Sequence, residues 1–403
     1  MSTRQASSSS TTQIAIIGGG LVGASLALAL QAGAKKKGWR ITLIEPFQPG
    51  HAFQPSYDAR GSALSYGSQQ IYHALGIWPQ LKQRSQAISS IHVSEQGKFA
   101  NTRLLASESG VPALGYVVEN AWLGRCLWDA LDPEVVEWRC PAQVGHIKVH
   151  QQGYQLSLND GSQLTAELTI LADGGRSGLR EQLGIYAKVT PYQQTALIST
   201  VTPQQDHQGQ AFERFTATGP LALLPLVDNR MVLIWTHPPT TAEQLSQLPD
   251  AEFKHALQRE FGYRLGAFNK VGTRHLYPLN LIESSEQVRP HLVVLGNAAH
   301  SLHPIAGQGY NLSLRDCLCL ANTLLASNQP LGDFATLQQY QRLQQQDQAL
   351  TIGFSDQVTR LFSHSRAPLA QLRSLGLLGL ELASPAKQWF AQQAMGLGGR
   401  RYV

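Results

Sequence analysis

Apolar positions near the amino end of the chain follow a strand–helix–strand pattern. Residues 13–17 form a short apolar run, residues 21–31 carry apolar and small side chains at helical spacing, and residues 39–45 form a second apolar run. A buried strand is a short apolar run bounded by turn residues, whereas a helix needs a longer segment. This order predicts a βαβ unit, which is the building block of a parallel sheet.

Later segments alternate between the two patterns. Residues 69–81 and 118–131 have helical spacing, and residues 143–171 alternate as a β-hairpin followed by a further strand. Between about 186 and 277 short β-rich runs dominate, at 195–202, 210–215, 222–226 and 231–236. They predict a separate antiparallel sheet inserted into the α/β fold. After residue 338 the pattern is helical again.

Composition adds limits to this picture. The chain has 403 residues, 43% hydrophobic and 15% charged, with a formal net charge of +5. It is long enough for two or three domains. No dense Lys/Arg run accompanies the mild positive charge, which argues against nucleic acid as a partner. The four cysteines contain no C-x-x-C pair, and this favours a reducing compartment.

The uncharged stretch 14–34 is long enough to imitate a membrane span. It contains Gly18, Gly20 and Gly23 directly after a short β-run, so a buried strand–turn–helix explains it better. We therefore expect no transmembrane helix and no export signal, and a cytoplasmic protein. The Ser/Thr-rich residues 1–12 are expected to be disordered.

The glycines after the first strand form the pattern Gly18-x-Gly20-x-x-Gly23. Gly18 permits a tight turn, Gly20 lets the backbone approach a pyrophosphate, and Gly23 lets helix and strand pack closely. Glu45 ends the second strand, where a carboxylate accepts hydrogen bonds from ribose hydroxyls. The unit predicts a dinucleotide that contains ADP, and leaves FAD and NAD as alternatives.

Two later segments also join an apolar strand to a helix start. Asp173-Gly174 follows the strand 168–172 and, taken alone, indicates only a turn. The segment 296–311 follows the strand 291–295, and its Gly307 and Gly309 flank Gln308 at the start of a helix. A helix amino end presents backbone N–H groups and a positive dipole end to an anionic group.

In this order the three segments resemble the flavoprotein monooxygenases with the para-hydroxybenzoate hydroxylase-like fold. The resemblance covers about residues 14–316, and it includes the family's D-G-x-x-S-x-x-R motif at 173–180. It implies FAD as the cofactor. The residues that it assigns to FAD, with those of the glycine pattern, are Gly18, Gly20, Gly23, Glu45, Arg60, Arg125, Asp173, Gly174, Gly296, Asn297, Gly307, Gln308, Gly309 and Asn311.

The resemblance also implies more specific positions. Asp173 approaches the ribose or ribityl part of FAD, and Arg180 ties its segment to neighbouring structure. Arg60 lies near the flavin ring, and Arg125 contacts the phosphates or the ribityl chain. The flavin-ring loop, with Pro304, Gly307, Gln308 and Gly309, lies at the pyrimidine edge of the ring.

The implied reaction needs no side-chain nucleophile. In the resembling family NAD(P)H binds transiently and reduces the flavin without a separate nicotinamide domain, and a flavin C4a-hydroperoxide then hydroxylates an ionised phenol. His300 and His303 are three residues apart, but no Cys, Asp or Glu ligand lies at suitable spacing. We predict no metal site.

Finer resemblance points to the hydroxylases of ubiquinone biosynthesis. It rests on residues 58–64, 212–222, 276–279 and 303–309, on residues 234–238, and on Asn297, which replaces the Asp of the wider family. It implies a polyprenylated methoxyphenol and O2 as substrates. It leaves open a peripheral position at the inner face of the membrane or within a multi-enzyme ubiquinone-synthesis complex.

Three alternatives stay open at this point. A sibling hydroxylase acts at another ring position, a prenyl reductase keeps the same fold, and a flavin- or quinone-binding subunit has no catalytic role. A halogenase of this fold would carry W-x-W-x-I-P, which is absent around Trp235.

The predicted fold is α/β, with a Rossmann-like FAD-binding domain, an inserted antiparallel substrate domain and C-terminal helices. The FAD-binding domain comprises 13–185 and 285–340, the substrate domain 186–284, and the helical region 341–403. Leu223, Leu226 and Trp235 are expected to belong to the core of the inserted sheet, with a prenyl-tail tunnel as the alternative.

Overall fold

A computed structural model describes residues 9–48, 61–97, 101–303 and 307–363, together with 388, 391–393 and 395–397. Strand pairing begins at Ser9, where the backbone pairs with Gln163. Residues 9–12 are therefore part of a strand and not of a disordered terminus, because a parallel neighbour satisfies their backbone groups. Of the predicted helical region 341–403, the part up to Ser363 lies in one long helix.

Twenty strands and nine α-helices lie within the described residues. The strands are β1 (Ser9–Ile17), β2 (Ile41–Ile44), β3 (Gly61–Ser65), β4 (Ser85–Ile88), β5 (Ser90–Glu95), β6 (Asn101–Leu105), β7 (Gly115–Glu119), β8 (Val136–Arg139), β9 (Val144–His150), β10 (Gly153–Leu158), β11 (Gln163–Leu171), β12 (Ala187–Pro203), β13 (Gln210–Phe215), β14 (Pro220–Leu226), β15 (Arg230–His237), β16 (Phe268–Val271), β17 (His275–Ser284), β18 (Val288–Arg289), β19 (Leu292–Val294) and β20 (His300–Ser301). The helices are α1 (Leu21–Lys37), α2 (Tyr66–Ala74), α3 (Trp78–Lys82), α4 (Asn120–Asp129), α5 (Leu179–Gln182), α6 (Pro239–Gln247), α7 (Asp250–Phe261), α8 (Gln308–Ala326) and α9 (Phe334–Ser363).

The first sheet contains the predicted βαβ unit. Its parallel strands run in the order β19-β11-β1-β2-β8, while β18 and the hairpin β9–β10 join it antiparallel. Helices α1 and α8 pack on one face, in a core that includes Ile14, Ile16 and Leu314. Parallel strands are covered on both faces, which explains their uninterrupted apolar runs.

The second sheet is larger than the predicted insert. Its order is β20-β17-β12-β15-β14-β13-β5-β6, and β16 pairs with β12. Strands β5 and β6 come from the segment before the insert, and β5 pairs parallel with β13. All strand pairs within residues 186–284 are antiparallel, which confirms the predicted antiparallel sheet. The whole sheet is mixed, because β5 from outside this range covers the edge of β13 that would otherwise expose unpaired backbone groups.

A small antiparallel sheet, β3-β7-β4, lies between the two larger ones. Two helices predicted in this part of the chain differ from the observed elements. Residues 115–119 form β7 before α4 begins, because β3 and β4 pair with this segment on its two sides. The predicted helix 69–81 is divided into α2 and α3 around Gly76, whose φ of +81° is left-handed. Helix α1 runs on to Lys37, beyond the predicted end.

Candidate cofactor-binding site

The loop between β1 and α1 is built around two steric requirements. Gly18 has a φ of +106°, and a Cβ added there would lie 2.5 Å from the carbonyl oxygen of Ala172. A Cβ on Gly23 would lie 1.9 Å from the carbonyl oxygen of Gly18. Gly20 is the N-cap of α1, whose first turn carries no acidic residue. The unpaired N–H groups of that turn and its dipole suit a phosphate.

Glu45 lies at the end of β2, as predicted, and is only 6% exposed. Its Oε2 accepts a hydrogen bond from the Gly19 N–H at 2.7 Å, and its Oε1 accepts one from the Phe47 N–H at 3.2 Å. Burial raises the pKa of this carboxyl. The side chain therefore supports the glycine loop, and its carboxylate oxygens retain lone pairs for ribose hydroxyls.

Asp173 orders its own loop. Its Oδ1 accepts a hydrogen bond from the Gly175 N–H, and its Oδ2 accepts one from the Ser177 N–H, both at 3.0 Å. The Ser177 hydroxyl also donates to Oδ2. A Cβ added to Gly174 would meet no atom within 4 Å, so this turn is open where the resemblance places the sugar part of FAD.

Arg180 joins the second segment to the third. The side chain is 8% exposed, and its Nη1 donates to the carbonyl oxygen of Ala298 at 2.7 Å. Its Nη2 pairs with Glu181 at 2.9 Å. This is the tie to neighbouring structure that the resemblance implied.

The third segment returns to the first helix. Gly296 has a φ of +64°, and a Cβ there would lie 3.1 Å from a methyl group of Val22 in the first turn of α1. Asn297 follows in the short 3-10 turn Gly296–Ala298 and is exposed. All three predicted segments therefore meet beside the start of α1.

The flavin-ring loop continues into α8. Gly307 is the N-cap residue of α8 and has a left-handed backbone conformation. A Cβ added to it would lie 3.2 Å from the Cβ of Ala63 on β3. Gln308 is 3% exposed, whereas an added Cβ at Gly309 would meet no atom within 4 Å. The first turn of α8 has no acidic residue. Pro304 and Arg60, both predicted near the ring, lie outside the described residues.

Asn311 lies in the first turn of α8. Its Oδ1 accepts hydrogen bonds from the Ser65 N–H at 2.9 Å and the Ser68 hydroxyl at 2.7 Å, and its Nδ2 donates to the carbonyl oxygens of Ala63 at 2.9 Å and Gly307 at 2.7 Å. The side chain is 1% exposed. The side-chain amide is fully engaged in these contacts and shapes the flavin-ring loop, so a contact of Asn311 with FAD would use its backbone; its assignment to FAD stays a prediction.

Helix α4 contributes a residue that sequence reasoning missed. Arg125 is exposed on this helix, and one turn later Trp128 donates its indole N–H to the carbonyl oxygen of Gly19 at 3.0 Å. The ring of Trp138 covers the other side, since a Cβ on Gly19 would lie 2.5 Å from it. The sequence feature that could have identified Trp128 is its i, i+3 spacing from Arg125, which places both residues on one face of α4.

This arrangement fits FAD. Two helix amino ends without acidic residues, α1 and α8, suit the pyrophosphate and the electron-rich edge of the ring. Glu45 suits the ribose, and the open positions at Gly174 and Gly309 leave room for the cofactor.

His300, considered above as a metal ligand, bonds to Asp316 through Nε2 at 2.6 Å.

Comparison with known proteins agrees with this geometry. A family model described as "FAD binding domain" matches residues 11–350. A ubiquinone hydroxylase of Rhodospirillum rubrum is 35% identical over 97% of this chain and 91% of its own length. A 3-demethoxyubiquinol 3-hydroxylase of Escherichia coli is 32% identical, covering 96% of this chain and 99% of its own.

A solved structure has the same fold. The p-nitrophenol 4-monooxygenase of Pseudomonas putida DLL-E4 superposes with a TM-score of 0.79 over 97% of this chain and 100% of its own, at 17% identity. At this identity the likeness concerns the fold alone.

Proposed function

Because the chain belongs to the family of FAD-dependent monooxygenases that carry this FAD binding domain, we propose that it hydroxylates the aromatic ring of a polyprenylated methoxyphenol in ubiquinone biosynthesis. The observation that carries the proposal is the meeting of three segments at one helix start, through Gly18 with Ala172, Arg180 with Ala298 and Gly296 with Val22. Two of the relatives are named for ubiquinone or ubiquinol hydroxylation.

When bound, FAD supplies the activation of O2 from which one oxygen atom reaches the ring. The first turn of α1 and the Glu45 carboxylate would hold the ADP part. The amino end of α8, which has no acidic residue in its first turn, would stabilise negative charge at the pyrimidine end of the flavin through its N–H groups and helix dipole. NAD(P)H is the proposed electron donor.

The second sheet forms the roof of the substrate site in this proposal. Ile198, Leu224 and Ile234 are only partly buried on the face that packs toward the FAD-binding part, and they suit an apolar substrate. Leu223, Leu226 and Trp235 are at most 1% exposed, which confirms them as core. No helix among the described residues is both long and apolar enough to cross a bilayer. We propose contact at the inner membrane surface, where a prenylated phenol resides.

Deleting the gene and profiling quinone precursors tests the proposal. Accumulation of the polyprenylated methoxyphenol, reversed by the wild-type gene, supports it. Accumulation of a precursor that lacks a different ring hydroxyl assigns the chain to a sibling step. Unchanged ubiquinone overturns the proposal. Incorporation of 18O from labelled O2 into product by the purified, FAD-loaded protein separates hydroxylation from prenyl reduction or a binding role.

A further inference from the structure

The two faces of the second sheet have different coverings. One face packs against α6 and α7, where the rings of Phe212 and Phe261 lie 5.2 Å apart. The other packs against the small sheet, since a Cβ on Gly61 would lie 2.7 Å from Val232. Strand β3, which begins at Gly61, also carries Ala63 beside Gly307. This second face therefore looks toward the flavin-ring loop.

Glu213 lies on that second face. Side chains alternate along a strand, so Glu213 shares the face of Ala211 and is opposite to Phe212. Its neighbour Arg214 turns the other way and donates its Nε–H to the carbonyl oxygen of Glu260 at 2.8 Å. The register places Glu213 in one row with Ala222, Ile234 and Ile198, which are small or apolar.

The Glu213 carboxylate is half-buried and, within the described part of the chain, it has neither a hydrogen-bond donor nor a cation as partner. Strand β14 offers it only apolar side chains on this face. The titratable groups on or against the same face within the described residues include Glu95, Tyr66, His275, Tyr277 and the ion pair of Arg230 with Glu119 at 2.8 Å. Burial raises the pKa of Glu213 to about 7. An unpartnered carboxylate in apolar surroundings costs stability, and such groups concentrate at functional sites.

We propose that Glu213 is the catalytic base that accepts the proton of the substrate's phenol hydroxyl, an inference that rests on the proposed function. The phenol O–H bond breaks, its electron pair stays on the oxygen, and a new O–H bond forms on the Glu213 carboxylate. A phenolate and a neutral carboxylic acid result, and the proton passes to solvent when product leaves. The phenolate ring is more electron-rich and therefore accepts oxygen more readily.

Thr236 offers a second polar atom on this face. It is 1% exposed, and its hydroxyl has no hydrogen-bond partner in the described part of the chain. Thr236 lies on the face opposite to Trp235. It is two residues from Ile234 along β15, so the two side chains share a face. A substrate with a second ring oxygen, such as a methoxy group, fits this hydroxyl. Thr236 is therefore a positioning residue, whose substitution by Val should raise KM and leave the pH profile unchanged.

The test compares Glu213→Gln and Glu213→Asp with the control Glu260→Gln, which removes a half-buried carboxylate beyond the opposite face. All are prepared as FAD-loaded protein. We expect kcat/KM of the wild type to fall as pH drops through about 7, because protonated Glu213 accepts no proton. Glu213→Gln should lower kcat/KM by about 100-fold or more and lose this acidic limb. Glu213→Asp should retain the limb, and Glu260→Gln should match the wild type.

A second readout is independent of turnover. 4-Nitrophenol, whose anion is yellow, serves as a bound probe titrated by absorbance. We expect the bound probe to ionise at a higher pH in the wild type than in Glu213→Gln, because an ionised Glu213 beside the phenol oxygen repels the phenolate, whereas the Gln amide donates a hydrogen bond to it. Identical titrations and pH profiles in the two proteins overturn the assignment. If Glu213→Gln fails to fold, loss of the acidic limb in Glu213→Asp overturns it. Failure of the wild type to hydroxylate any prenylated phenol instead contradicts the proposed function.

Discussion

Nε2 of His300 lies 2.6 Å from Oδ2 of Asp316, and the two side chains are 1% and 0% exposed. The other oxygen of Asp316 accepts hydrogen bonds from the amide groups of Gln344 at 2.5 Å and Gln348 at 3.0 Å. His300 stands where the chain enters the flavin-ring loop, Asp316 lies on α8, and both glutamines lie on α9. One buried carboxylate therefore holds the loop and two helices together.

Asp316→Ala should destabilise the protein by about 3–5 kcal/mol, because it leaves three buried groups without their acceptor. Asp316→Asn should cost much less. Its amide oxygen can still accept from Gln344 and Gln348, and its NH2 group can donate to a neutral His300. Urea unfolding of both variants measures the difference, and equal losses would contradict this account of the cluster.

Gly20→Asp should abolish FAD binding. Gly20 has ordinary extended backbone angles, so a side chain fits the backbone, but a carboxylate at the start of α1 repels the pyrophosphate. Two like charges about 4 Å apart repel by roughly 4 kcal/mol at an intermediate dielectric constant, which weakens binding by about 100-fold or more. The matched control is Gly20→Asn, which has the same shape and no charge. The flavin absorbance of the purified proteins measures FAD binding. If the Asp variant retained flavin, the pyrophosphate would lie elsewhere.

Asn311→Ala should loosen the flavin-ring loop. It leaves Ser65, Ser68, Ala63 and Gly307 each without a hydrogen-bond partner supplied by this side chain, at a cost of about 2–4 kcal/mol. Thermal unfolding and FAD titration measure the loss. Asn322→Ala, at an exposed position of the same helix, should change neither. Unchanged FAD affinity in the Asn311 variant would show that the order of this loop does not contribute to FAD binding.

His237 should make stability depend on pH. It is 4% exposed, and burial lowers its pKa to about 4, from 6.5 in an unperturbed histidine. Between these values the unfolded chain binds more protons, so the contribution of neutral His237 is present above pH 6.5 and is lost as pH falls toward 4. The loss is roughly 3 kcal/mol at most. His237→Phe should reduce the drop in unfolding free energy between pH 7.5 and 5, whereas exposed His255→Phe should not. An unchanged drop in the His237 variant would contradict this.

The parts of the site with local causes could be predicted. Gly18 and Gly23 are required by a turn and a close approach between neighbouring elements, and Glu45 follows from its place at a strand end. The predicted βαβ unit and the second-sheet strands at 195–202, 210–215, 222–226 and 231–236 recur in the structure with shifted ends. The resemblance added the order of the three segments, and their contacts agree with it.

Other parts depend on partners far along the chain. Asn311 bonds to Ser65, Ser68 and Ala63, which are more than 200 residues away, so the structural role of its side chain has no local signal. The pairing of β5 with β13 joins segments that differ in sequence position by about 120 residues. Edge burial selects that pairing, and periodicity within one strand cannot report it.

The sequence by itself determined the local elements, the glycine turn and the class of cofactor, because short-range sterics and periodic burial leave a readable pattern. Only the tertiary structure decided which distant segments meet. It placed Ala172 against Gly18, Val22 against Gly296, and the Glu213 carboxylate on the face toward the flavin-ring loop. The side of a sheet that a residue occupies has meaning only when the covering of each face is known, and packing between remote segments sets that covering.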